Sequence, residues 1–156
     1  MQAHANETGA MGIQQIMGML MHRYPFLLVD RVLNCVPGSY IEGYKNVSRN
    51  ESFFTVGSNH AKQPAMPQLL LIEALAQISV ILTFKTLRIE PTGQEFMFFA
   101  GIDDARFGSS ATSGDRLELR SEVVRLKKAM GWFRGTAKVN GEIVAEMSML
   151  AAIKLG

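Results

Sequence analysis

Residues 64–84, PAMPQLLLIEALAQISVILTF, constrain the fold of this chain more than any other stretch. Pro64 and Pro67 bracket Ala65 and Met66, and Pro67 suits the first turn of a helix, where its missing N–H is not needed. Residues 69–84 are apolar on all sides rather than along one stripe, which predicts a helix buried all round. The run is too short, and too interrupted by Glu73, Gln77 and Ser79, to predict a membrane span. Glu73 is the one acid inside it, with Gln77 a helical turn later on the same face. A carboxylate among apolar side chains is costly unless it is paired or protonated. Chemistry is the first use to consider for it.

The flanking segments supply the wrapping for such a helix. Apolar residues at Ile13, Ile16, Met17 and Leu20 predict a short amphipathic helix over 11–20. Residues 26–36 read as a strand, Pro37-Gly38 as a turn, and 39–47 as the returning strand with Tyr40, Glu42, Tyr44 and Asn46 on one face. Residues 48–64 are polar and irregular. After the long helix, strands are expected over 95–102, continuing through 105–107 after a bend, then over 115–128, 131–139 and 142–153. Asn140-Gly141 is the strongest hairpin signal, because a type I′ turn needs positive φ at both central residues. About six antiparallel strands around one long helix inserted after the second strand make an α+β domain of hot-dog outline.

At 156 residues, 47% hydrophobic and 19% charged, the chain suits one globular domain, expected over 11–156 behind a loose polar tail of residues 1–10. A net charge of +2 is too mild to point to nucleic acid. The single cysteine, Cys35, excludes an internal disulfide and, without a histidine cluster, argues against structural zinc. The start MQAHANETGA has no signal-peptide pattern, so a cytoplasmic protein is expected.

Four motifs carry a resemblance: MHRYPFLLVDRV (21–32), PAMPQLLLIEALAQ (64–77), FFAGIDDARF (98–107) and SGDRLEL (113–119). Together with the closing AMGWFRGTAKVNGEIVAEMSMLAAI they resemble, in order and over about residues 13–153, the β-hydroxyacyl-[acyl carrier protein] dehydratases of the FabZ type. The resemblance implies a hot-dog homodimer, assembled in some members as a trimer of dimers. Its active sites form between subunits, with a catalytic histidine from one and an acid on the central helix of the other. The intact Ile72-Glu73-Ala74 makes Glu73 the acid. The family loop G-H-F-P-G-x-P-x-M-P-G is altered here to GSNHAKQPAMPQ. Its histidine position falls on Asn59, and His60, one residue closer to Pro64, is the candidate base.

Removing water from a 3-hydroxyacyl thioester calls for a base at the α-carbon, help for the departing hydroxyl, and donors to the thioester oxygen. His60 is expected to be the base, and Glu73, with its pKa raised in an apolar pocket, the acid or the residue that orients water. The helix start around Met66, Pro67 and Gln68 offers backbone donors and a positive dipole end. Gln77 is expected to orient Glu73 or fill a polar spot at the dimer interface, Phe99 to line the core or the acyl tunnel with Phe96 and Phe98, and His22 to anchor a turn. The scheme calls for no metal and no cofactor. The substrate is expected as an acyl carrier protein or coenzyme A thioester, and Lys62, Arg106, Arg125, Lys127 and Lys128 are candidate contacts for an acidic carrier. Two other readings stay open: a hot-dog acyl thioesterase, and a non-catalytic acyl-binding subunit of a heteromeric dehydratase.

Overall fold

A computed structural model describes residues 9–54 and 64–154. Most of the expected tail, residues 1–8, lies outside the described residues. Met11 is already in the fold, exchanging backbone hydrogen bonds with Val32 and 5% exposed.

Helix α1 (Ile13–Met19) is shorter than its pattern and buries Ile16. Strands β1 (Arg31–Val36) and β2 (Tyr40–Asn46) form a hairpin, and a single 3-10 turn follows at Ser52–Phe54. Helix α2 (Gln68–Leu87) comes next, then β3 (Phe96–Phe107), β4 (Arg116–Lys127), β5 (Met130–Val139) and β6 (Glu142–Lys154). The six strands make one antiparallel sheet in the order β1-β2-β4-β5-β6-β3, and α2 packs across its inner face against β2, β4, β5 and β6. This is the expected hot-dog arrangement. Asn140 and Gly141 both have positive φ, at 50° and 80°, as the hairpin between β5 and β6 demands.

Helix α2 is buried from Leu71 to Phe84 except at Glu73. By length and composition it is apolar enough to cross a membrane, yet 67% of its most apolar window is buried inside this domain. Gly135 on β5 makes room for it, since a Cβ there would stand 3.2 Å from the Leu75 side chain. Its polar residues are satisfied inside: Ser79 and Ser121 of β4 share a hydrogen bond of 2.6 Å, and the Thr83 hydroxyl donates to the Ser79 carbonyl.

One expected strand is cut short. Residues 26–29 continue an apolar run but do not join the sheet, whose bonds to β2 begin with the Asp30 N–H to the Tyr44 carbonyl just before β1. Their backbone is served by a helix side chain instead. The Leu28 N–H donates to Gln77 Oε1 at 2.8 Å, and Gln77 Nε2 donates to the Phe26 carbonyl at 2.6 Å. Period-two patterning cannot distinguish that partner from a neighbouring strand.

Candidate active site

Glu73 faces outward from the first half of α2, its side chain 39% exposed in a helix otherwise sunk in the core. Two donors converge on one of its oxygens. Gln77 Nε2 donates to Oε1 at 3.0 Å, and His22 Nε2 stands 3.4 Å from the same Oε1. Among the described residues no donor reaches Oε2.

Gln77 is held by the two backbone bonds to Phe26 and Leu28, so its amide is oriented before it reaches Glu73. His22 is placed by its neighbour. The Arg23 guanidinium donates to the carbonyls of Met17, Leu20 and His22, which ties this loop to the end of α1.

The electrostatics differ from the sequence expectation. The Glu73 carboxyl titrates below its ordinary value, not above it. Hydrogen bonding from His22 is the leading cause; burial pushes the other way, and the Gln77 amide and the charge of His22 add to the lowering. Burial is therefore outweighed by donors, and Glu73 is an ionised acceptor near neutral pH.

Beside this pair a cleft of about 300 Å³ runs between the end of α1, helix α2 and the start of β3. His22, Met19, Met21, Val80, Phe84 and Met97 are among its walls. It is a mainly apolar cleft that reaches the pair through His22. A larger groove of about 370 Å³ crosses Glu42, Arg120 and Lys138 on the opposite face of the sheet, remote from Glu73. Arg120 pairs there with Glu42 and Glu122, so its charges satisfy one another.

The other expected residues separate. His60 falls in residues 55–63, outside the described residues, as do Asn59 and Lys62. Met66 is a core side chain at 2% exposure, and its backbone N–H donates to the Ala111 carbonyl at 2.7 Å. It is therefore no free donor for a thioester oxygen. Pro67 caps the helix and has no N–H, and the Leu70 and Leu71 N–H groups donate to its carbonyl, so that role passes to the N–H groups of Gln68 and Leu69, whose side chains are exposed. Phe99 is half-buried against the core. Phe98, expected with it, points the other way and is 55% exposed, because neighbours on a strand alternate faces. His22 is the residue that sequence reasoning undervalues, since its contact with Glu73 spans 51 positions. Cys35 is buried, and burial pushes its thiol up, which leaves it a poor nucleophile. Among the described residues no three of His, Cys, Asp and Glu stand together as a metal site.

A FabA-like domain profile matches residues 20–148. The 3-hydroxyacyl-[acyl-carrier-protein] dehydratase FabZ of Shewanella pealeana is 41% identical over 148 residues, 95% of each chain. That of Mannheimia succiniciproducens is 46% identical over 138 residues, 88% of this chain and 89% of the relative. Among solved structures, a chain of the dehydratase heterocomplex ApeI:P from Xenorhabdus doucetiae superposes with a TM-score of 0.73 at 18% identity, covering 90% of this chain and 91% of that one. A hot-dog-like protein from Thermanaerovibrio acidaminovorans gives 0.58 at 16% identity, over 77% and 84% of the two chains. Likeness at that identity speaks for the fold.

Proposed function

The chain belongs to the FabA-like family, among its FabZ-type members, and from that premise we propose that it eliminates water from a 3-hydroxyacyl thioester to give the trans-2-enoyl thioester. The observation that carries this reading into the site is the doubly held, ionised Glu73, whose partner His22 lines an apolar cleft.

The base, assigned to His60, takes the proton from C2. The C2–H electron pair becomes the C2–C3 double bond as the C3–O bond breaks. The leaving hydroxyl needs a proton, and an ionised Glu73 has none to give. The imidazolium formed at the base returns the proton it has just taken, and water departs. Glu73 accepts a hydrogen bond from the 3-hydroxyl through Oε2, which aligns the C–O bond for loss and then holds the water. The N–H groups of Gln68 and Leu69 stabilise charge on the thioester oxygen. The acyl chain lies in the apolar cleft along Val80, Phe84 and Met97.

The site needs a second copy of the chain. Strand β3 ends the sheet, pairs with β6 along one edge, and presents Phe96, Phe98, Ile102 and Phe107 at 37–55% exposure. An apolar edge strand of 12 residues is a pairing surface. Around Glu73, Met21, Tyr24, Phe26 and Leu69 are 59–78% exposed, an apolar rim suited to being covered. A homodimer through β3 would join the two sheets and let the partner subunit contribute the histidine. The carrier on the thioester is an acyl carrier protein, in a cytoplasmic setting.

The test is a product assay by mass spectrometry with 3-hydroxyacyl and saturated acyl thioesters of the carrier. Loss of water, abolished in His60→Ala and in Glu73→Gln, is expected. An ionised carboxylate would also serve a water attacking the thioester carbonyl, so release of free acid alone would replace elimination with hydrolysis. Binding of the acyl carrier with neither product would make the chain an acyl-binding subunit.

A further inference from the structure

His22 does more than shape a turn. Its Nδ1 is buried and has no hydrogen-bond partner among the described residues, while its side chain as a whole is 36% exposed. The exposure therefore lies elsewhere on the side chain, and Nε2 is the nitrogen beside Glu73 Oε1. A ring with one nitrogen sealed and the other turned to a carboxylate is poorly disposed to take a proton from substrate directly. It can act on the reaction through Glu73.

We propose that His22 is a positioning residue: its Nε2–H holds Glu73 Oε1 from one side while the Gln77 amide holds it from the other, so that Oε2 is presented to the substrate. The proposal rests on the reading of Glu73 as the site carboxylate. At 3.4 Å the His22 contact is long for a charge-assisted hydrogen bond, and such contacts commonly tighten when substrate closes a site. Adjacent residues divide the work. Arg23 locks the backbone of His22 onto the carbonyls at the end of α1, and the His22 ring spans the remaining gap to α2. The lowering of the Glu73 carboxyl, for which His22 is the leading cause, agrees with this geometry.

Other charged groups near the pair are accounted for. Arg23 is committed to backbone carbonyls. Glu95, at the far side of the same cleft, accepts hydrogen bonds from the backbone N–H groups of Thr92 and Gly93 and from the Thr92 hydroxyl. His60 and Lys62 lie outside the described residues and are unchanged in the variants below.

The experiment compares the full-length protein with His22→Ala and His22→Gln. Two quantities are read: the titration of the Glu73 carboxyl, followed by NMR with ¹³C-labelled glutamate and assigned with Glu73→Gln, and kcat and KM at neutral pH. In His22→Ala the Glu73 midpoint should rise, because burial then meets one donor instead of two, and kcat should fall about tenfold or more with KM nearly constant. His22→Gln keeps an N–H donor and should restore most of both. If His22→Ala does not fold, His22→Met, which fills the space without a donor, carries the same expectation. An unmoved Glu73 midpoint, or a kcat loss that Gln does not rescue, overturns the proposal. A moved midpoint in a protein whose wild type turns nothing over sustains the contact and overturns the dehydratase reading instead.

Discussion

Two charge pairs in this molecule show how differently a fold can treat an acid. Lys45 Nζ meets Glu51 Oε1 at 2.7 Å, with side chains only 4% and 14% exposed. His22 meets Glu73 at 3.4 Å, with 36% and 39% exposed, and one ring nitrogen has no partner among the described residues. The first pair is short and closed. It pins the inner face of β2 to the turn that precedes residues 55–63, where the backbone of Glu51 also bonds Ser48 and Phe54. The second is long and open on one side, with no donor to Oε2 among the described residues. A closed pair holds structure, and an open one has bonding capacity left for a substrate. Burial of a charge is therefore a weaker sign of function than an unfilled bonding position.

The sharpest way to break the comparison is to remove one member of the closed pair. Lys45→Ala leaves Glu51 buried and unpaired, and should cost about 3–5 kcal/mol of stability in urea unfolding. Replacing both residues, as Lys45→Met with Glu51→Leu, should recover most of that loss. At the open pair the effects reverse. Glu73→Gln should lower dehydration about 10²-fold in the product assay while leaving the unfolding midpoint nearly unchanged. A stability loss there as large as that of Lys45→Ala would show that Glu73 is structural.

Gln77 joins the two kinds of behaviour in one side chain. Gln77→Leu strips partners from the Leu28 N–H and the Phe26 carbonyl and should cost about 2 kcal/mol. It should also reduce turnover, because Glu73 loses its shorter donor. Acid makes a finer distinction. The folded Glu73 carboxyl lies below its ordinary 4.5, so its ionised form contributes stability that is present above that value and lost as pH falls through the folded value. The stability of wild type relative to Glu73→Gln should be constant well above 4.5 and fall from about one pH unit above that value down through the folded value. A difference that instead grows in favour of wild type as pH falls would mean a raised carboxyl and restore Glu73 as a proton donor.

Much of this molecule is legible in the chain itself. The all-round apolar run dictates a core helix, because no amphipathic surface position could accept it. Alternation and Asn140-Gly141 dictate the last hairpin. Being the single acid in that run is enough to single out Glu73, and the shared motifs point to its chemistry. What tertiary structure alone decided is the charge state and company of that acid. Sequence spacing predicted a carboxyl raised by apolar surroundings, but the fold brings His22 and Gln77 to the same oxygen, and two donors outweigh burial. Tertiary structure likewise turned residues 26–29 away from the sheet, where Phe26 and Leu28 bond a glutamine, and spent the Met66 N–H on Ala111. Local pattern reports which surface a residue prefers. It does not report which distant donor or acceptor will be waiting there, and hydrogen-bond partners across tens of positions set the ionisation on which the reaction depends.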